Sequence, residues 1–216
     1  MISIPRLPWD EHFMLQAHLV ATRATCDRGP ELLLDPGRHG VGALIVQNKR
    51  VIASGYNGSP PGAPHCDDVP TCPCCEEEFP TLYDGRGCPT CIKGTRDIHG
   101  EGKSCAQCDG KSDLVGGHKM VEGHCVRTIH SEMNTLMQCA LDGVSPEHGR
   151  LYCTASPCYD CAKAIIRAGI QTVIYGEMYN SRYGLSPTVR ELFESCNVTM
   201  TRLALEIVDG RVRRKP

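Results

Sequence analysis

The sequence has few aromatic residues, little net charge and no long apolar run, and each shortage excludes a class of protein. Aromatic residues make up 5% of the 216 residues, and the formal net charge is −2. Few rings are therefore available to stack successive bases, and no positive excess attracts a polyanion, so a small substrate is favoured over a nucleic-acid strand. No apolar stretch approaches the roughly 18 residues that a membrane-spanning helix needs, so no membrane partner is expected.

The N-terminal residues also lack the basic start and apolar stretch of a secretory signal, which predicts a cytoplasmic protein. Cysteine, in contrast, is abundant, with 15 residues. Because disulfides are rare in a reducing cytoplasm, cysteines in C-x-x-C pairs are expected to bind metal rather than to cross-link the chain.

Helix and strand patterns alternate on both sides of one irregular region. The length suits a single domain over residues 1–216 with an insert. Alternation of this kind predicts an α/β fold in which helices cover both faces of a sheet, while the basic tail at 206–216 is expected to be flexible. Periodicity predicts helices at 10–26, 128–141, 159–168 and 187–196, and strands at 41–46, 50–55, 151–154, 171–175 and 198–205.

The irregular region, about residues 66–123, is rich in glycine and proline and contains eight of the 15 cysteines. Bound metal would supply the folding energy that such a segment lacks, and two C-x-x-C pairs a dozen or so residues apart are typical of a zinc ribbon. The preferred ligand set for a structural zinc is Cys88, Cys91, Cys105 and Cys108. A set made of Cys72, Cys75, Cys88 and Cys91 fits the spacing as well.

A second pattern is typical of a catalytic metal. His130-Ser131-Glu132 opens a predicted helix, and Pro157-Cys158-Tyr159-Asp160-Cys161 follows a predicted strand. His130, Cys158 and Cys161 supply three zinc ligands, so the fourth tetrahedral position is left for water. Zinc lowers the pKa of that water from 15.7 towards about 7 and generates hydroxide near neutral pH. Glu132 is the predicted proton shuttle, and this combination is the signature of zinc-dependent nucleobase deaminases.

The turn before the second cysteine pair adds an electrostatic expectation. Ser156 is predicted to be the N-cap of the following helix, with Pro157 in its first turn. Cys158 and Cys161 would then lie at the positive end of the helix, which favours the thiolate form that binds zinc.

Three segments, 54–66, 123–134 and 151–179, resemble the deoxycytidylate (dCMP) deaminases. The resemblance implies a cytidine-deaminase-like three-layer α/β/α sandwich with a central mixed sheet and a cysteine-rich zinc-binding insert. It implies hydrolysis of dCMP to dUMP and ammonia, feeding thymidylate synthesis, with attack on C4 of cytosine and Glu132 moving protons. Ser131 stands where that family commonly has alanine.

The same resemblance implies further residues and partners. Asn57 is expected to contact the sugar, and Tyr179 to lie near the nucleotide. A homo-oligomer, often a hexamer, is implied, with dCTP and dTTP as effectors and magnesium accompanying a regulatory nucleotide. A further structural zinc is implied at Cys26, Cys66 and His124, with Cys72, His65 or Cys125 as the fourth ligand.

Two other functions fit parts of the pattern. A deaminase acting on cytosine or adenine within RNA or single-stranded DNA would use the ribbon to grip the strand. A noncatalytic zinc-ribbon interaction protein would use it to bind a partner, but that reading leaves the acidic Glu132 beside a three-ligand metal site without a purpose.

Overall fold

The computed structural model of the protein describes residues 6–68, 118, 120–121, 124–179 and 186–215. The chain divides into two units: the first comprises Met1–Asn57 and Ile129–Pro216, and the second comprises Gly58–Thr128. In the first unit the helices are α1 (Trp9–Ala21), α2 (Ser131–Asp142), α3 (Tyr159–Arg167) and α4 (Ser186–Ser195). Its strands are β1 (Glu31–Leu32), β2 (Asp35–His39), β3 (Gly42–Gln47), β4 (Arg50–Tyr56), β7 (Arg150–Ala155), β8 (Thr172–Glu177), β9 (Thr199–Arg202), β10 (Leu205–Val208) and β11 (Arg211–Arg214).

A five-stranded mixed sheet forms the centre of the first unit, in the order β4-β3-β7-β8-β9. Strand β3 pairs antiparallel with both β4 and β7, whereas β7, β8 and β9 are parallel to one another. Parallel pairing needs crossover connections, and α3 and α4 provide them. The expected α/β fold with a central mixed sheet is therefore confirmed.

Alternate side chains of β3 are buried in two different hydrophobic cores, one on each face of the sheet. Leu44 packs with residues of α1 such as Met14. Ile45 packs in the core that receives Cys139 of α2 and Phe193 of α4. Because successive side chains of a strand point to opposite faces, this alternation places α1 on one face and the other helices on the other. The three layers predicted from the sequence are present.

Gly55 lets α2 approach the sheet closely. A Cβ atom built on Gly55 would lie 2.6 Å from the Thr135 nitrogen and 2.8 Å from the Ser131 carbonyl oxygen. Both of those atoms belong to α2, so only glycine fits beneath the helix at this point. The first turn of α2 is thereby held against β4, and this is the turn that follows His130.

The C-terminal region differs from its expectation. The strand expected at 198–205 is divided into β9 and β10, and β10 pairs antiparallel with β11. Val212 of β11 is buried in the α1 core, so residues 206–215 form a hairpin packed on that core rather than a flexible tail. The single apolar residue within GRVRRKP was too weak a signal to predict a strand.

The second unit contains a short antiparallel hairpin among its described residues, formed by β5 (Met120–Val121) and β6 (His124–Cys125). Its register pairs Met120 with Cys125 and Val121 with His124. Among the residues that the structure describes, no helix has both the length and the apolar surface that a membrane crossing requires.

Candidate metal centre

Three predicted ligands converge in the first unit. His130 is the N-cap of α2 and Cys158 the N-cap of α3, and both have extended backbone conformations. Cys161 lies in the first turn of α3 and is buried. The Nδ1 atom of His130 is 3.4 Å from Cys158 Sγ and 3.5 Å from Cys161 Sγ. Residues 28 and 31 positions apart along the chain are thus brought within one coordination sphere.

The donor set and its spacing fit zinc. With Zn–S bonds of about 2.3 Å and Zn–N bonds of about 2.05 Å, a tetrahedral ion separates its sulfur and nitrogen ligands by about 3.6 Å. The two nitrogen–sulfur distances lie close to that value, and the three ligand atoms all lie within 4.8 Å of one another. Two thiolates and one imidazole fill three positions of a tetrahedron, which is the protein contribution typical of a catalytic zinc.

The protonation of these groups is strongly coupled. The hydrogen bond with Cys158 raises the pKa of His130 from 6.5 to about 9, against the opposing effect of burial. The hydrogen bond with Cys161 is the largest cause that lowers the pKa of Cys158 from 9.0 to about 4, and the bond with His130 adds to it. The hydrogen bond with Cys158, together with burial, raises the pKa of Cys161, which keeps its proton. A thiolate is therefore already formed beside an imidazolium at the start of two helices, where the helix dipole favours an anion.

Glu132 lies beside this cluster in the first turn of α2 and is 4% exposed. Burial raises the pKa of its carboxyl group, and the neighbouring His130 charge opposes that effect. The Ser131 hydroxyl donates a hydrogen bond of 3.0 Å to Glu132 Oε2 and lies 3.5 Å from the buried Cys153 Sγ. Ser131 thus supplies the carboxylate with a hydrogen-bond donor.

The expected cap of α3 is different in the structure. The helix starts at Tyr159 with Cys158 as N-cap, and no side-chain hydrogen bond caps it. Ser156 lies two residues before the cap, because Pro157 precedes the helix instead of opening it. The serine hydroxyl bonds elsewhere, to the segment that follows β8.

Asn57 is 5% exposed, and its side chain makes hydrogen bonds to two neighbouring backbone segments. Asn57 Oδ1 accepts from the Val41 N–H at 2.7 Å, and Nδ2 donates to the Cys26 carbonyl at 2.9 Å. These bonds secure the entrance to β3 and the segment after α1. The sugar contact expected for Asn57 stays a prediction, as does the nucleotide contact of Tyr179, which follows β8 and is half-buried.

A second group of metal-binding side chains lies within the second unit. The ligand atoms of Cys66, His118 and Cys125 all lie within 4.8 Å of one another, and the two sulfurs are 3.5 Å apart. Soft sulfur and imidazole donors at this spacing suit zinc. His118 was missed by the sequence reasoning because it belongs to no C-x-x-C pair and lies outside the recognised segments.

The remaining predicted ligands have separate outcomes. Cys26 is buried in the first unit, and His124 lies in β6. Their ligation stays a prediction, and so does the choice of fourth ligand among Cys72, His65 and Cys125. The insert cysteines expected to form a zinc ribbon lie outside the described residues: Cys72, Cys75, Cys88, Cys91, Cys105 and Cys108.

Three further cysteines, Cys139, Cys153 and Cys196, lie on apolar faces of predicted helices or strands, so the sequence predicts that they are small core residues rather than ligands. Cys139 and Cys153 are buried in the core between the sheet and α2, as expected. Cys196 is exposed after the end of α4, so that expectation is wrong. The chain turns immediately after Cys196 and leaves its side chain at the surface.

Comparison with known proteins agrees with this geometry. The family model of the cytidine and deoxycytidylate deaminase zinc-binding region matches residues 7–177. ComE operon protein 2 of Bacillus subtilis is 35% identical over 97% of this chain and 80% of its own length. The deoxycytidylate deaminase of Enterobacteria phage T2 is 35% identical over 65% of this chain and 70% of its own.

A solved structure supports the fold. The dCMP deaminase of cyanophage S-TIM5, in complex with dCMP and dUMP, has a TM-score of 0.54 and 21% sequence identity, covering 89% of this chain and 95% of that one. At that identity the likeness supports the architecture, while the family model and the sequence relatives support the membership. The chain belongs to the zinc-binding cytidine and deoxycytidylate deaminase family.

Proposed function

We propose that this protein is a zinc-dependent hydrolase that converts dCMP to dUMP and ammonia. The observation that carries the proposal is the convergence of His130, Cys158 and Cys161, with the buried Glu132 in the adjacent helix turn. The choice of dCMP rather than another cytosine compound is supported by sequence relatives that are named deoxycytidylate deaminase. Those of phage T2 and Saccharomyces cerevisiae are among them.

The protein residues divide the work between metal binding and proton transfer. His130, Cys158 and Cys161 would hold the zinc, which when bound supplies a water activated for attack at neutral pH. Glu132 removes a proton from the attacking water and delivers it to the ring nitrogen N3. It then takes the remaining proton from the new C4 hydroxyl and delivers it to the departing amine, so that the C4 carbonyl forms. A C4–O bond forms, the C4–N bond breaks, and one water is consumed for each ammonia released.

The buried position of Glu132 suits that task. Burial raises the pKa of its carboxyl group towards the working pH, so that the group can both take up and release a proton. The Ser131 hydroxyl orients one carboxylate oxygen. Asn57 and Tyr179 are the proposed sugar and nucleotide contacts.

The wider role extends the proposal. We infer that the product dUMP feeds thymidylate synthesis in the cytoplasm, that the protein forms a homo-oligomer such as a hexamer, and that dCTP and dTTP act as effectors, with magnesium accompanying the regulatory nucleotide. One or two structural zincs are proposed besides the catalytic one, and the cluster of Cys66, His118 and Cys125 supports the first of them.

A substrate panel tests the proposed function. Purified protein is assayed for ammonia release with dCMP, deoxycytidine, dCTP and a cytosine-containing single-stranded oligonucleotide, each with and without dTTP. We expect dCMP to be the best substrate and dUMP to be its product. Deamination of the oligonucleotide but not of free dCMP would contradict the proposal and favour a nucleic-acid deaminase.

Elemental analysis tests the metal content of the same preparation. We expect two or three zincs per chain, one of which is lost when His130 is replaced by alanine. A content of one zinc in the parent protein would exclude the structural sites, and an unchanged content in His130→Ala would exclude the catalytic one.

A further inference from the structure

We propose that Ser156 is a positioning residue that locks the segment Glu177–Tyr179 to the turn that carries Cys158, and so fixes the nucleotide side of the site relative to its metal side. The proposal rests on the proposed function, because it assigns Tyr179 to the nucleotide. It adds a role that the zinc-binding motif does not contain, since Ser156 is neither a ligand nor the cap of α3.

Ser156 makes a hydrogen bond to each of three successive residues. Its backbone N–H donates to the Glu177 carbonyl oxygen at 2.9 Å. Its hydroxyl oxygen accepts from the Tyr179 N–H at 2.8 Å, and the hydroxyl group donates to Met178 Sδ at 3.5 Å. One buried residue, 5% exposed, therefore connects the end of β7 to the segment that leaves β8, through its backbone to Glu177 and through its side chain to Met178 and Tyr179.

The connection to the metal side is rigid because of Pro157. The proline ring fixes its own φ and restricts Ser156 to extended conformations. Cys158 follows immediately, with its backbone also extended before α3 begins. Few rotations are thus left between the Ser156 hydroxyl and the Cys158 sulfur, and a displacement of the bonded segment is resisted by the turn that holds the ligand.

The ion pairs of the Glu177 side chain are weaker restraints on the segment. Glu177 accepts hydrogen bonds from Arg202 at 3.1 Å and from Lys215 at 2.9 Å, but the side chains of all three residues are more than one-third exposed. Ion pairs open to solvent contribute little to holding a structure. A buried hydrogen bond to the backbone contributes more, because water does not replace it when it is lost. The serine hydroxyl is therefore a stronger restraint on the segment than the two ion pairs of Glu177.

The kinetic consequence is specific. Loss of the hydroxyl removes the acceptor of the Tyr179 N–H without touching His130, Cys158, Cys161 or Glu132. Nucleotide binding should weaken while the chemical step continues at nearly the same rate. A purely structural role for Ser156 would instead reduce the folded fraction and leave the KM of the remaining enzyme unchanged.

The test compares Ser156→Ala with Ser156→Thr, which keeps a hydroxyl, and with Ser195→Ala, a matched control whose hydroxyl is exposed and bonds only within its own helix end. For Ser156→Ala we expect the KM for dCMP to rise about 5- to 10-fold, the effect of one lost hydrogen bond. We expect kcat to stay within about twofold and the zinc content to be unchanged. Ser156→Thr should restore most of the affinity. An unchanged KM in Ser156→Ala, or equal KM values in the alanine and threonine variants, would overturn the proposal.

A readout without substrate separates this proposal from the proposed function. Hydrogen exchange of the Tyr179 amide is measured by NMR on protein labelled with 15N-tyrosine, of which the chain has seven. Exchange should become about tenfold faster in Ser156→Ala and stay near the parental rate in Ser156→Thr and Ser195→Ala. Equal exchange rates in all variants would refute the lock even if dCMP is the substrate. Faster exchange in Ser156→Ala alone would support the lock even if the substrate is another nucleotide.

Discussion

His18 is a buried histidine on the inner face of α1. It is 6% exposed, and neither ring nitrogen has a hydrogen-bond partner among the described residues. Burial lowers its pKa from 6.5 to about 4, a shift that the negative charge of Glu177 only partly opposes. The ring is therefore neutral in the folded protein at pH values at which it is charged in the unfolded chain.

This shift makes folding stability depend on pH. Because the folded pKa is depressed, the unfolded chain binds more protons between pH 6.5 and 4, and stability falls as pH is lowered through that window. The full loss below the window is about 3 kcal/mol. We expect His18→Leu to reduce the loss, measured as the difference in urea unfolding free energy between pH 7 and pH 4.5.

The matched control for that measurement is His12→Leu, on the same helix but at an exposed position. Its stability difference between the two pH values should equal that of the parent protein. If His18→Leu also loses as much stability on acidification as the parent does, the buried neutral histidine is not the cause of the pH dependence.

At the level of single residues, the sequence predicted which side chains converge but not their hydrogen bonds. His130, Cys158 and Cys161 were predictable because zinc demands particular residue types at a particular spacing. The bonds of Ser131 to Glu132 and of Ser156 to Tyr179 depend on side-chain rotamers and on how β7 meets β8. No local pattern encodes those relations, so Ser156 was mistaken for a helix cap.

Among the elements, the β10–β11 hairpin is the one whose packing was not expected. Val212 is 5% exposed and shares a core with Phe13 and Met14 of α1. The Arg214 guanidinium pairs with Glu11 of the same helix. The hairpin thus covers an apolar edge of α1 as well as neutralising a buried carboxylate.

Substitution of Val212 measures how firmly this hairpin is packed. Val212→Ala should lower the unfolding free energy by about 2 kcal/mol, since buried methyl groups are lost and a cavity is left. Arg213→Ala, the exposed neighbour, should change it by less than about 0.5 kcal/mol. Chemical unfolding of both variants provides the comparison. Equal stabilities would mean that the hairpin is detached in solution, as the sequence alone suggested.

The elements that the sequence predicted well are those with strong periodicity. The hairpin of β3 and β4 and the helix–strand alternation from α2 to α4 appear within a few residues of their expected bounds. Errors occur where a signal is short. The apolar pattern that predicts a helix up to residue 26 continues past the end of α1 at Ala21, because buried loop residues there imitate a helical face.

For the whole molecule, metal binding and protonation are linked. Without metal, His130 is protonated at neutral pH because its pKa is raised to about 9, and the pKa of Cys161 is raised as well. Cys158 is already a thiolate because its pKa is lowered to about 4. Zinc requires a neutral imidazole and two thiolates. Loading the site at pH 7 should therefore release about two protons from the protein ligands, one from His130 and one from Cys161, in addition to any lost by a zinc-bound water.

Isothermal titration calorimetry in buffers of different ionisation enthalpy counts those protons. The difference between the metal-free parent and His130→Ala isolates this site from the other zinc clusters. Between pH 8, where a zinc-bound water with a pKa of about 7 is already ionised, and pH 10, above the pKa of His130, the released number should fall by about one. A count that does not change between pH 8 and pH 10 would contradict the assigned imidazolium–thiolate pair.

The three-layer architecture could be predicted from the repeated helix and strand patterns, and the cluster of His130, Cys158 and Cys161 from a two-part motif. The second metal-binding cluster could be predicted only in part. Cys66 and Cys125 were named beforehand, whereas His118 joins them through the folding of a segment that has no periodicity of its own.

We propose that Glu132 moves protons beside a zinc held by His130, Cys158 and Cys161. The most direct test is the kcat for dCMP of zinc-loaded Glu132→Gln, compared with the parent at equal zinc content. We expect kcat to fall by about 10²- to 10⁴-fold, because the amide keeps the shape of the side chain but not its basicity. A variant that forms dUMP at close to the parental rate would contradict it.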